Sequence, residues 1–241
     1  MLDSVSILSG VLSVIFVAIG TLVGIRIAAK YFELKQRTFL FVGIYLIGLC
    51  EPWWPSATSF LIAILTNSDG LYTMPEVYFF IGNFFIPFTL TVWIIAFTDL
   101  LYKERQKLIV SLAVIFSIVF AIMFLFFLAT EPSVIGVLQG PVDVDYTAWI
   151  LVLLISIIGI VGVTGYLFAR ESLHAPDEVI QLKGKLILAG FMSYCIGALL
   201  DSAIPLNPIT LPITRFILIF SAFLFYGGFI LPDWLKNILI K

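Results

Sequence analysis

Charge is what this sequence has least of. Of its 241 residues only 12% are Asp, Glu, Lys or Arg, while 61% are hydrophobic. A soluble domain carries about 25% charged residues. Mean hydropathy is +1.15. So few charged side chains cannot cover the surface of a soluble fold of this size, which excludes a soluble enzyme and a disordered chain. Histidine is nearly absent: His174 alone builds no histidine-based metal site. The two cysteines, Cys50 and Cys195, both lie in apolar stretches, so neither a disulfide framework nor a zinc pattern is present. A net charge of -2 gives no basic footprint, and no nucleic-acid partner is expected. The opening residues Met1 to Ser6 lack a basic segment, and no small-residue cleavage site follows the first apolar run. That run is expected to be a retained helix rather than a signal peptide.

What is present is a series of apolar runs of the length that crosses a bilayer, about 20 residues each. They fall near 5–29, 37–54, 76–99, 108–129, 147–169, 184–205 and 209–232. Their continuity excludes the alternating pattern of a membrane barrel. The expectation is an all-α, polytopic protein with seven transmembrane helices in one domain, residues 1–241. Basic residues follow the odd spans: Lys30, Lys35 and Arg37; Lys103, Arg105 and Lys107; Arg170, Lys183 and Lys185; Lys236 and Lys241. The opposite loops carry Asp69, Glu76, Glu131, Asp143 and Asp145 and no Lys or Arg. The positive-inside rule then places the N-terminus outside and the C-terminus in the cytoplasm, in a cell membrane.

Four stretches stand out from this pattern. Pro52-Trp53-Trp54-Pro55 should break the second helix. Residues 56–67 then read as an interfacial or re-entrant helix on the outer side, with Trp53 and Trp54 in the aromatic belt; the alternative is one long, kinked second helix. The outer loop 130–146 is the longest, and its Val142-Asp143-Val144-Asp145 alternation suits either a β-hairpin lid or an ordinary loop. Its two aspartates lack the glycine and glutamate of a calcium loop. In the third span, Pro87 predicts a kink. Pro176-Asp177-Glu178 predicts a helix start.

The second and sixth spans share a pattern: Tyr45, Gly48 and Glu51 match Tyr194, Gly197 and Asp201. Pro75 and Asp99 in the third match Pro208 and Asp233 in the seventh. We infer two parallel three-helix units, about 1–107 and 147–241, joined by a linker helix at 108–129. In layout the chain resembles the broad seven-helix, three-plus-one-plus-three class. That class holds microbial opsins and Pro-Gln-loop sugar transporters, and it is often compared with G-protein-coupled receptors. Specific motifs of these groups are missing. The seventh span has Arg215 but no lysine, so a retinal Schiff base is not expected; no Pro-Gln pair occurs. Asp99-Leu100-Leu101-Tyr102 is not an Asp-Arg-Tyr triplet. No cofactor is implied.

Ionisable residues inside spans are costly and point to function. Arg26 lies near an inner helix end, where it can snorkel. Glu51, Asp201 and Arg215 lie in the outer half, and Asn83 occupies the repeat position that matches Arg215. The repeat predicts pairs Glu51–Asn83 and Asp201–Arg215. Gly190, Tyr194, Gly197 and Asp201 share one helical stripe, and Arg215, Ala222 and Tyr226 share another. Glu51, Asn83, Asp201, Arg215, Tyr194 and Tyr226 are therefore the candidate ligand-binding residues, around a cavity open outside and closed inside. The competing reading of Asp201–Arg215 is a clamp that only ties two helices together. No Ser-His pair, His-x-x-x-His or helically spaced Asp pair lies in the spans, so no enzyme is expected. The expected function is a receptor or sensor that signals through a separate cytoplasmic partner at the short basic loops. The alternatives are a small-solute or proton-coupled transporter and a non-catalytic subunit of a membrane complex. The bilayer is the expected surround, and homo-oligomerisation is compatible with the apolar faces.

Overall fold

A computed structural model describes residues 2–203 and 207–240. The end of the expected sixth span at 204–205, residue 206, Met1 and Lys241 lie outside the described residues. The chain is an α-helical bundle. Its helices are α1 (Ser4–Leu34), α2 (Arg37–Gly48), α3 (Trp54–Thr66), α4 (Pro75–Asn83), α5 (Ile86–Leu101), α6 (Gln106–Thr130), α7 (Ala148–Leu173), α8 (Glu178–Ala203), α9 (Thr210–Ile230) and α10 (Asp233–Leu239). Among the described residues, six helical stretches are long and apolar enough to cross a membrane: Ser4–Leu34, Pro75–Leu101, Lys103–Thr130, Ala148–Leu173, Glu178–Ser202 and Thr210–Ile230. The expected span 37–54 is not one of them, because it is broken.

Proline sets the breaks. Pro52 cannot donate to the carbonyl four residues back, and α2 ends at that residue, Gly48. Pro87 does the same to Asn83, where α4 ends. A 3-10 turn, Glu51–Trp53, bridges α2 to α3. Residues beyond this turn do not form a re-entrant or surface segment. Gly24 lies against Gly43 and Ile47, Gly20 against Cys50, and Gly10 against Phe60. Phe16 meets Trp53 edge to face at 5.0 Å. Down α1, the partners climb in order, so α2 and α3 form one broken helix antiparallel to α1. This is the kinked-helix alternative, and it corrects the surface reading of 56–67.

The bundle closes in chain order. α2 packs on α1 and α5, α6 on α5, α8 on α7 and α9, and α9 returns to α1. α5 reaches α7 through Trp93, whose indole donates to the Thr164 hydroxyl at 2.7 Å. α6 is apolar all round and largely exposed, as a lipid-facing helix is. The all-α expectation needs one addition. Strands β1 (Gly136–Gly140) and β2 (Asp143–Tyr146) form an antiparallel hairpin with an irregularity between Leu138 and Gly140. Trp149 and Thr147 pin its base, both donating to the Val134 carbonyl at 2.7 Å. Ile135 and Leu138 bury against Tyr78, Phe79, Phe124 and Ile150, a second core above the main one.

Helix starts follow ordinary capping. The Asp3 carboxylate accepts the Ser6 amide at 2.9 Å, and this bond holds its pKa below the usual carboxylate value. Asp177 accepts the Val179 amide at 2.7 Å ahead of α8.

Close approach of α1 and α2 rests on Gly43, where an added Cβ would sit 2.5 Å from the Ala28 nitrogen and the Gly24 carbonyl. Gly43→Val should cost about 1–3 kcal/mol or more and lower the melting temperature in detergent. Gly159, with nothing within 4 Å of its added Cβ, is the control. Gly159→Ala should hold or raise that temperature, since alanine favours a helix over glycine by about 1 kcal/mol.

Candidate functional site

The two proline breaks lie side by side, and what satisfies them shapes the site. Within a bilayer a freed backbone group finds no water and needs a protein partner. The break before Pro87 frees amides at the start of α5. The Glu51 carboxylate, fully buried, accepts the Phe85 amide through Oε1 at 2.6 Å. The break at Pro52 frees the Leu49 carbonyl, and the Tyr194 hydroxyl donates to it at 3.1 Å.

Two residues after Glu51, Trp53 joins the other half of the bundle. Its indole N–H donates to Asp201 Oδ2 at 2.9 Å. The Arg215 guanidinium lies over its ring, 5.5 Å from the centroid, a cation–π contact. Asp201 Oδ1 accepts from the Thr214 hydroxyl at 3.2 Å. Arg215 Nη1 approaches Asp201 Oδ2 to 3.3 Å, an ion pair. That approach lacks hydrogen-bond alignment: both Nε and Nη1 of Arg215 are without a hydrogen-bond partner. The side chain is only 3% exposed.

These groups stand at the upper end of a cavity of about 330 Å³. Its roof is strand β2 of the hairpin with Val142 just before it. Exposed Asp143, Asp145 and Ser202 stand at its rim. Tyr78 and Ser56 complete the polar end, with the two hydroxyls 2.8 Å apart and Ser56 donating to the Val142 carbonyl at 2.9 Å. Leu90, Leu151, Leu154, Ile157, Val161 and Ala198 make up the apolar part of its wall. Below them the bundle is filled with aromatic rings. Tyr45 stacks on Trp93 at 4.8 Å, Trp93 lies 5.0 Å from Phe191 and 5.2 Å from Phe168, and Phe191 meets Phe225 at 4.9 Å.

Of the six candidate residues, Tyr194, Asp201 and Arg215 line the cavity. Glu51 and Asn83 do not, and they do not pair. Glu51 is committed to the Phe85 amide, and Asn83 donates to the Phe79 carbonyl and the Tyr146 hydroxyl, both at 3.2 Å. Burial pushes the Tyr146 phenol up to about 12, so it stays protonated. Tyr226 shares the Arg215 stripe but packs on the main core beside the aromatic floor, away from the cavity wall. Sequence reasoning missed Trp53, Tyr78, Ser56 and Tyr45 as wall residues, and left the hairpin open between a lid and an ordinary loop. Trp53 is 5% exposed and corrects the aromatic-belt placement. Among the described residues, no three His, Cys, Asp or Glu side chains converge to hold a metal.

No protein-family model, curated protein or solved structure matches the chain.

Glu51→Ala should leave the Phe85 amide unpaired at a cost of about 1–3 kcal/mol. Glu51→Gln keeps an acceptor oxygen in place and should recover most of that loss in a thermal melt. Equal destabilisation by both would show that the cap is not what Glu51 supplies.

Proposed function

We propose that the protein is a seven-helix receptor or sensor with a ligand site in its outer half, which signals through a separate cytoplasmic partner. In this reading the broken helix 37–66 is the seventh span, the N-terminus is outside and the C-terminus is cytoplasmic. The antiparallel order supports the orientation. It gathers Lys35, Lys103, Lys183 and Lys236 at one end of the bundle, and the hairpin with Asp143 and Asp145 stands at the other. The three-plus-one-plus-three repeat belongs to the same proposal. α2 and α8 are each the middle helix of their unit, packed on both neighbours, and the cavity falls between the units.

One observation carries the receptor reading over the carrier reading. The cavity holds a buried guanidinium with free donors at its upper end and stops at a filled aromatic floor. A carrier needs a route past its site to the other face, by alternating access. Here Trp93 and Phe191 fill that route, and Trp93 is tied to Thr164.

The test uses side-specific labelling of reconstituted protein with Cys50 and Cys195, both buried and free, replaced by alanine. A cysteine at Asp143 should react with a membrane-impermeant thiol reagent from outside only, and one at Lys183 from inside only. A cysteine at Ile157, deep in the cavity, should react with a small reagent from outside and stay protected from inside. Reaction of the Ile157 position from both sides would replace the receptor with a carrier.

A further inference from the structure

We infer that the cavity takes an uncharged, single-chain amphiphile, with an acceptor oxygen at Arg215 and its apolar chain lying down the bundle toward Tyr45. The inference rests on the ligand-site reading above and names the chemistry that the site accepts.

The polar end offers donors and few free acceptors. Arg215 can donate five hydrogen bonds, and its Nε and Nη1 make none. A buried donor left unpaired costs about 1–3 kcal/mol, and more when it is charged. The acceptors beside it are already engaged. Asp201 takes the Trp53 indole and the Thr214 hydroxyl, and Ser56 bonds Tyr78 and the Val142 carbonyl. A ligand group that only donates finds little to bind, whereas a carbonyl or ether oxygen meets the guanidinium directly.

The buried pair is balanced in charge, with Asp201 offsetting Arg215 at 3.3 Å, and Asp143 and Asp145 make the rim above it negative. An anionic head would face these carboxylates. A cationic head would face a desolvated guanidinium. A neutral head meets neither penalty.

Below the head the wall is hydrocarbon. Leu151 and Val161 are both wall residues, roughly three turns of α7 apart, or ~15 Å at 1.5 Å per residue. The volume of about 330 Å³ is at the low end for small-ligand pockets, which fits one chain rather than two. At the bottom, Tyr45 lines the cavity, and its hydroxyl is buried without a hydrogen-bond partner.

The experiment measures saturable thermal stabilisation of the full chain in phosphatidylcholine nanodiscs by four probes of one chain length. These are 2-dodecanone, dodecane, dodecanoate and dodecylammonium. A ligand that binds only the folded state raises its apparent stability by mass action. The ketone should bind at least ten-fold tighter than the alkane or either ion. Arg215→Met should bring ketone and alkane to within about two-fold of each other. Ile157→Trp, which fills the cavity and leaves the Asp201–Arg215 pair in place, should abolish the saturable effect and keeps the test valid if Arg215→Met does not fold. Tighter binding of dodecanoate or dodecylammonium, lost in Ile157→Trp, would overturn the neutral-head assignment and leave the ligand site standing. Equal binding of ketone and alkane, lost in Ile157→Trp, would overturn the role of Arg215 alone. No saturable stabilisation by any probe, in wild type as in Ile157→Trp, would overturn the ligand site itself.

Discussion

A helix broken inside a bilayer exposes backbone groups that lipid cannot satisfy, and this chain places two such breaks next to each other. Each follows from a proline that cannot reach four residues back, Pro52 to Gly48 and Pro87 to Asn83. Each is repaired from elsewhere in the fold. Glu51, in the turn made by one break, caps the helix that restarts after the other. Tyr194 of α8 takes the Leu49 carbonyl that the first break releases. The polar groups around Asp201 and Arg215 are tied to that repair, because the turn Glu51–Trp53 faces α5 through its first residue and α8 and α9 through its last.

This arrangement gives the proposed receptor a physical route from site to scaffold. A group that binds Arg215 competes with the Asp201 contact and with the Trp53 ring, which shares both. Any shift of Trp53 is carried by a three-residue turn to Glu51, and so to the capped start of α5. α5 in turn bears Trp93, the centre of the aromatic floor, and ends at the basic turn of Lys103 and Arg105. A helix interrupted at its midpoint can move its two halves separately, whereas an unbroken one transmits or resists as a rod. The break at Asn83–Ile86 is therefore where the proposed signal would be converted into motion.

The long apolar runs were legible because hydropathy reports burial in lipid irrespective of neighbours. The breaks were legible as prolines, and the nearness of Asp201 and Arg215 followed from consecutive helices. What the sequence left hidden has a common cause. Matching Glu51 to Asp201 and Asn83 to Arg215 by a repeat fixes depth along the bundle but not direction around each helix. A 3-10 turn between α2 and α3 resets the helical phase, so Glu51 faces the α5 amides and Trp53 takes the cavity side. Tyr226 fails for the opposite reason. It is on the correct stripe but too deep, with the floor of Trp93, Phe191 and Phe225 at its level. The hairpin was ambiguous because its four alternating residues suit a strand or a loop; the base contacts of Thr147 and Trp149 decide it, and they are not local in sequence.

The clamp and the ligand site, rivals when only the sequence is considered, become one device once the hydrogen bonds are counted. A clamp built purely for stability would align both guanidinium edges on the carboxylate, since bidentate pairing is what offsets the cost of burying the two charges. Asp201 instead gives its oxygens to Trp53 and Thr214 and holds Arg215 by a single unaligned approach. The ion pair offsets the charge of Arg215, a cavity-lining residue, and leaves its Nε and Nη1 without a hydrogen-bond partner. The buried guanidinium is thus paired in charge and unsatisfied in hydrogen bonds, which is the balance that the proposed sensor of a neutral amphiphile would require.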